Sequence, residues 1–288
     1  MKDLTSYLFE TNAFKICEEN KPFWYTSGKI GPYFVNTHFL YGNSEDANKL
    51  LEFIDDQLAN HDKLEIPKNI FEKVLSQYKN NEIFNFVIND FITFLKTNIN
   101  INDVDYVSGG ERRDWYFSNI VAYLLEKPHI TIYKDLSAVE STYNFEKTKN
   151  IENLNNKKVL HVADLLNQAS SYLRAWIPAI ENFGGKILWS AVIVDRMQGG
   201  TQKLEDAKIK SLSLLQIDNN LFKKALDLNI INESQLAMLT KFASDPDKTM
   251  RDFLISHPDF IQNALNGSDA KSAKRAKLCI DSNLYDLN

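Results

Sequence analysis

The chain has 288 residues, of which 44% are hydrophobic, 12% aromatic and 25% charged, a composition that excludes a disordered or fibrous protein and suits one large core with an appended piece. A net charge of −5 supplies no chain-wide basic field of the kind that holds duplex nucleic acid, so nucleic acid is not an expected partner. No stretch approaches the ~20 consecutive apolar residues of a membrane span.

The N-terminal stretch has no apolar run of signal-peptide length, and a cytoplasmic protein without a membrane partner is expected. Cys17 and Cys279 stand near opposite ends of the chain, without metal-ligand spacing or the density of a disulfide scaffold; both are expected to be buried, inert thiols. Within Tyr25-Thr26-Ser27-Gly28-Lys29-Ile30-Gly31-Pro32-Tyr33-Phe34-Val35-Asn36, the glycines and the proline mark a turn before a strand. From Ser44 to about Lys96 apolar residues recur at helical spacing, as in Leu50, Ile54 and Leu58 and then Phe71, Val74 and Tyr78, predicting two or three helices interrupted near Pro67.

Five β-rich runs follow, Val104–Val107, Ile130–Tyr133, Val159–Val162, Ile187–Val194 and Ile209–Ile217, with helical periodicity over Trp115–Leu125 and Ser170–Phe183 between them. This alternation predicts an α/β fold with a mainly parallel sheet flanked by helices on both faces, and such sheets bind ligands beyond the carboxyl ends of their strands. Lys134–Lys158 has little periodicity and predicts a long loop, or a loop with a weak hairpin, of a length that suits a lid. Beyond Asp218 the pattern is helical again, broken at Asp245-Pro246 and His257-Pro258, and closes on a basic stretch with Lys271, Lys274, Arg275 and Lys277.

The residues just after the runs carry the candidate chemistry. In Val159-Leu160-His161-Val162-Ala163-Asp164-Leu165-Leu166-Asn167-Gln168-Ala169-Ser170-Ser171, an apolar strand reaches an acid and then small polar residues that open a helix. Such a loop either caps the helix or offers N–H groups and hydroxyls to a phosphate. Ser108-Gly109-Gly110-Glu111-Arg112-Arg113-Asp114 combines glycines, which permit close backbone approach, with two cations for a diphosphate; the alternative is an exposed turn whose arginines pair with Glu111 and Asp114. In Asp195-Arg196-Met197-Gln198-Gly199-Gly200 the planar guanidinium suits a carboxylate, or else pairs with Asp195. Lys134 in Tyr133-Lys134-Asp135 is a strand-end cation. His38, His61, His129, His161 and His257 show no metal-site spacing, and no protein metal site is expected.

Taken in order, these stretches resemble the orotate phosphoribosyltransferase family of type I phosphoribosyltransferases, over about Asn12 to Ile217. Ala163 stands where the family has the first of two adjacent acids, and Asn167–Ser171 replaces its Thr- and Gly-rich loop. The resemblance implies a type I phosphoribosyltransferase-like domain over 1–218, with a helical insertion at about 44–98 and a helical C-terminal extension over 219–288. It implies transfer of ribose 5-phosphate from phosphoribosyl pyrophosphate to orotate, with Mg²⁺ as cofactor and a homodimer as the assembly. It also implies roles: Lys134 and Asp164 in catalysis; Gly109, Gly110, Arg112, Arg113 and the Asn167, Gln168, Ala169, Ser170, Ser171 loop on phosphoribosyl pyrophosphate; Lys29, Tyr33, Phe34 and Arg196 on the base.

Overall fold

The computed structural model describes residues 3–287. In chain order the elements are α1 (Leu4–Glu10), β1 (Phe14–Ile16), β2 (Phe23–Trp24), β3 (Ile30–Gly31), β4 (Tyr33–Val35), α2 (Ser44–Asn60), α3 (Ile66–Asn80), α4 (Glu82–Asn98), β5 (Tyr106–Gly110), α5 (Trp115–Leu124), β6 (His129–Ile132), β7 (Ala138–Ser141), β8 (Thr148–Asn150) and β9 (Lys158–Leu166). They continue with α6 (Ile177–Asn182), β10 (Lys186–Asp195), α7 (Gly200–Asp206), β11 (Lys210–Gln216), α8 (Asn219–Asp227), α9 (Glu233–Ser244), α10 (Pro246–Ser256), α11 (Asp259–Asn266) and α12 (Ala270–Asp281). The chain separates into two compact units, one of Met1–Asn12 with Thr37–Ile217 and one of Ala13–Asn36 with Asp218–Asn288. The division near 218 coincides with the end of the last β-rich run, whereas 13–36 belongs with the tail.

The first unit is built on a sheet of order β11-β10-β9-β5-β6-β7-β8, parallel from β11 through β6 and antiparallel at β7 and β8. From β5 the chain crosses through α5 to β6 on one side, and from β9 through α6 to β10 on the other. Right-handed crossovers in opposite directions put α5 and α6 on opposite faces. The adjacent strands β5 and β9, in register at Ser108 and His161, therefore form the topological switch point, where a crevice opens beyond the strand ends.

The 44–98 region folds as three helices. Asn43 caps α2 through Asp46 N–H, Pro67 occupies the first turn of α3, where its missing N–H costs nothing, and Asn81 caps α4. Phe84, Val87, Ile88, Phe91 and Leu95 form one fully buried stripe of α4. The helix opening at Ser170 widens into a π turn over Tyr172–Trp176 just before Pro178, whose ring nitrogen cannot donate to the preceding turn.

Over 134–158 the chain forms the hairpin that the sequence allowed, as β7 and β8, and the expectation of a long lid loop is corrected. Leu136 takes φ 68°, Leu136 N–H donates to Tyr133 O at 3.0 Å and Tyr133 N–H to Ser137 O at 2.9 Å, closing a tight turn directly into β7. Ala138, Val139 and Ser141 are buried in the sheet, and Phe145 stacks on Phe71 at 4.4 Å. Short, partly polar strands at a sheet edge give little periodicity, which is why the segment reads as a loop.

In the second unit β1 pairs with β4 and β2 with β3, both antiparallel, beside α8–α12. Its core is aromatic: Tyr33 packs on Phe14 at 4.9 Å and Phe242 at 5.6 Å, and Trp24 stacks on Phe260 at 5.5 Å. Tyr285 accepts Ile30 N–H at 2.9 Å, and Arg275 of the basic helix donates to Trp24 O at 2.8 Å. Cys17 and Cys279 are both buried free thiols, and burial pushes the Cys17 thiol up to about 11. Among the described residues no helix is long and apolar enough to cross a membrane.

Candidate functional site

A cavity of about 540 Å³ lies at the switch point, lined by the 111–114 loop after β5, Lys134 after β6, residues 163–172 from β9 into the following helix, Trp176 and Gln198. The carboxyl ends of four parallel strands, β5, β6, β9 and β10, thus supply its walls, as expected for an open α/β sheet.

Asp164 and Asp114 meet on its floor. Asp114 Oδ1 accepts Asp164 N–H at 3.2 Å and its Oδ2 accepts Gly110 N–H at 3.0 Å, so one carboxylate ties the tip of β9 to the tip of β5. The Asp164 carboxyl is pushed up to about 7, first by burial and then by the Asp114 charge, with the Arg113 guanidinium opposing. Behind them His161 Nδ1 shares a 2.9 Å hydrogen bond with Ser108 Oγ, while its Nε2 lies 3.5 Å from Asp114 Oδ2 without forming one. Burial holds the neighbouring His129 imidazole down at about 3, so it is neutral, bonding Ser118 Oγ at 2.9 Å and Thr131 Oγ1 at 3.0 Å.

Three cations face this pair of acids. Arg112 bonds both carboxylate oxygens of Asp55 on α2, not Glu111 or Asp114 as the sequence alternative had it. Lys134 Nζ lies 3.1 Å from Glu111 Oε1, and Glu111 Oε2 accepts Lys134 N–H at 3.1 Å. Arg113 is exposed, and its side chain makes no hydrogen bond or ion pair among the described residues. The wall is cationic but largely pre-paired, which leaves Arg113 as its uncommitted charge.

Opposite stand Asn167, Gln168, Ala169, Ser170 and Ser171, all on the cavity wall. The first N–H groups of the helix opening at Ser170 have no intrahelical acceptor and offer donors to an anion. Ala169 holds φ 55°, a left-handed conformation in which glycine is easier. Gly200 allows the turn after β10 to close on this loop, since a Cβ there would lie 2.4 Å from Asn167 O. The same turn is tied by Asp195, whose Oδ1 accepts Met197 N–H and Oδ2 accepts Thr201 Oγ1–H, each at 2.7 Å. Gln198 reaches the cavity from this turn; Arg196, two residues earlier, is not among the residues that line it, and its backbone N–H donates to Leu166 O at 2.9 Å.

Gly109 and Gly110 do not line the cavity; they end β5 as buried residues. A Cβ on Gly110 would fall 2.3 Å from the Trp176 ring, and one on Gly109 would fall 2.1 Å from Ser118 Oγ, so both serve close packing of the helices on the sheet. Lys29, Tyr33 and Phe34 lie in the second unit, where Lys29 Nζ pairs with Asp247 at 2.6 Å, Tyr33 is buried, and Phe34 packs on Phe23 at 4.7 Å. Glu111, Asp114, Tyr172 and Trp176 line the cavity as well, outside the residues expected there from sequence. In sequence the two acids stand as alternative arginine partners and the two rings fall in the helical stretch Ser170–Phe183; only the fold brings all four to one cavity.

No three His, Cys, Asp or Glu side chains cluster as a metal cage among the described residues. Mg²⁺ typically takes one or two protein carboxylates and keeps phosphate oxygens and waters, so Asp164, a buried acid repelled by Asp114, suits an ion that arrives with a diphosphate.

No protein-family model matches the chain. It is 31% identical over 138 residues to an orotate phosphoribosyltransferase of Methanosphaera stadtmanae, covering 48% of this chain and 74% of that one. It belongs to the orotate phosphoribosyltransferase family. A second member, from Sulfolobus acidocaldarius, is 24% identical over 221 residues, covering 76% of this chain and 87% of its own. The crystal structure of the Francisella tularensis orotate phosphoribosyltransferase superposes with a TM-score of 0.53 at 13% identity, covering 83% of this chain and 96% of that one. The α/β architecture expected from the sequence is therefore that of the type I phosphoribosyltransferases, and the chain is a phosphoribosyltransferase-type enzyme.

Proposed function

We propose that this enzyme transfers ribose 5-phosphate from phosphoribosyl pyrophosphate to orotate, giving orotidine 5′-monophosphate and pyrophosphate in pyrimidine biosynthesis. The observation that carries the reading is the convergence, on one cavity at the switch point, of a diphosphate-type wall (Arg112, Arg113, Lys134), an acid (Asp164) and a small-residue loop at a helix N-terminus (167–171). In the reaction the C1–O bond to pyrophosphate breaks, its electron pair leaves with the diphosphate, and a pyrimidine nitrogen donates a pair to C1. Positive charge builds on the ribose and negative charge on the leaving group, so catalysis is largely electrostatic.

In this reading Asp164 accepts hydrogen bonds from the ribose hydroxyls and its negative charge favours the cationic sugar. Arg113, Arg112 and Lys134 take the leaving diphosphate. Asn167, Gln168, Ala169, Ser170 and Ser171 hold the 5′-phosphate by backbone N–H groups and hydroxyls. Mg²⁺, when bound with the diphosphate, neutralises charge on the leaving group, and Asp164 is the residue that would face it. Arg196 takes the orotate carboxylate by bidentate bonding, while base contacts by Lys29, Tyr33 and Phe34, the homodimer and a cytoplasmic setting rest on the family resemblance.

A second reading, binding of a phosphoribosyl ligand without turnover, is favoured by Ala163 in place of the first acid and by the tight 133–137 turn in place of a lid. A pyrophosphate-release assay separates the two, run with phosphoribosyl pyrophosphate, Mg²⁺ and orotate beside uracil, hypoxanthine and no base. Orotate-specific release that collapses in Arg196→Ala supports the transferase. Binding of phosphoribosyl pyrophosphate with no release for any base rejects it.

A further inference from the structure

The helical insertion reaches the cationic wall at two places. Lys63, between α2 and α3, accepts the Tyr133 hydroxyl on its carbonyl at 2.7 Å and donates from Nζ to Ser137 Oγ at 2.7 Å, bracketing the turn that carries Lys134. Tyr116 of α5 donates its hydroxyl to Ala47 O at 2.5 Å, anchoring the start of α2 next to the 111–114 loop. Between these anchors α2 presents Asp55 to Arg112. Both contacts run through Nη1, so Nε and Nη2 are not used in the pair. The partners are 29% and 52% exposed, the regime in which an ion pair contributes only about 0–1 kcal/mol, so a polyanion can displace the carboxylate.

We propose that Asp55 is a positioning residue and resident counter-anion for Arg112, displaced when a diphosphate enters, and that it weakens diphosphate binding at this wall so that the product leaves. This deepens the transferase reading and rests on its diphosphate subsite. Asp55 holds the guanidinium at the cavity edge when the site is empty, and it competes for that guanidinium with the anion that replaces it.

The test is calorimetric titration of the full chain with inorganic pyrophosphate, comparing wild type with Asp55→Asn, Asp55→Glu, Arg112→Ala and the Asp55→Asn/Arg112→Ala double variant, with melting temperatures recorded alongside. Releasing Arg112 from its exposed carboxylate partner is expected to tighten pyrophosphate binding about threefold to tenfold. The gain should fade at high salt, be absent in Asp55→Glu, and vanish in the Arg112→Ala background. Binding by Asp55→Asn that equals or falls below wild type, or a gain that persists without Arg112, overturns the displacement while leaving the diphosphate site intact. Wild type that binds no pyrophosphate at millimolar concentration overturns the site itself, and the displacement with it.

Discussion

The backbone N–H of Asp164 is bonded to the carboxylate of Asp114, 3.2 Å away, so the acid assigned to the ribose sits beside a second negative charge. Burial first, and the Asp114 charge second, make Asp164 easy to protonate and give the cavity a pH response near neutrality.

The sign follows from the direction of the shift. With the folded-state carboxyl raised from 3.8 to about 7, Asp164 is neutral below that value and charged above it. A ribose hydroxyl or ligand-borne cation prefers the charged form, so affinity for phosphoribosyl pyrophosphate should rise from pH 6 to pH 8. Asp164→Asn should flatten the profile at the weak end. The folded state also binds the extra proton between about pH 4 and 7, so stability falls across that window as pH rises. Asp164→Asn is then expected to be more stable than wild type at pH 8, by on the order of 2–4 kcal/mol. Urea melts at pH 5 and pH 8 check this; an equal difference at both would sink the burial argument.

Arg113 and Arg112 look equivalent in sequence and differ in space. Arg112 is already paired with Asp55, whereas the Arg113 side chain makes no hydrogen bond or ion pair among the described residues. Arg113→Ala should therefore cost more pyrophosphate affinity than Arg112→Ala. A lost charge-assisted hydrogen bond of about 1.5–3 kcal/mol corresponds to roughly tenfold to a hundredfold. Competition by pyrophosphate in each variant measures the order, and Arg112→Ala as the larger loss would reverse the assignment.

Much of the first unit is legible because its strands are apolar runs buried on both faces, as at Val159, Leu160 and Val162 or Ala191 through Val194, which stand out against the helices between them. The cationic wall and the acid at the tip of β9 are legible because they follow those runs directly. Hidden from the sequence are relationships set by distant packing. Residues 13–36 join the tail through rings such as Phe14 with Phe222, 6.3 Å apart, which no local period reports. Gly109 and Gly110 read as a diphosphate cradle, although what forbids a side chain at each is Ser118 or Trp176. Asp55 is 57 residues from Arg112, and only the fold brings them together.

Gly110→Ala tests the packing role of that glycine. The added methyl would meet the Trp176 ring at 2.3 Å, and the ring is buried with little room to turn. Overpacking of this kind typically costs about 1–3 kcal/mol, read as a lower urea midpoint with an unchanged slope. Because Trp176 lines the cavity, ligand affinity should fall as well. A Gly110→Ala variant with wild-type stability and weakened binding would instead favour a direct ligand role for the glycine.

Gly200→Ala separates the phosphate loop from general stability. Its Cβ would lie 2.4 Å from Asn167 O and 2.8 Å from the Leu166 side chain, and a backbone carbonyl cannot rotate away as a flexible side chain can. The loop over 167–171 must shift to accept it, moving the N–H groups assigned to the 5′-phosphate. Gly199, with φ +83° and no atom within 4 Å of its Cβ position, provides the contrast: alanine there strains the backbone without pressing on the loop. Both variants should lose about 1–2 kcal/mol of stability, but only Gly200→Ala should lose affinity for ribose 5-phosphate, by about tenfold or more. Titration of ribose 5-phosphate into both variants decides it: equal affinities would mean that the turn after β10 does not shape the phosphate loop.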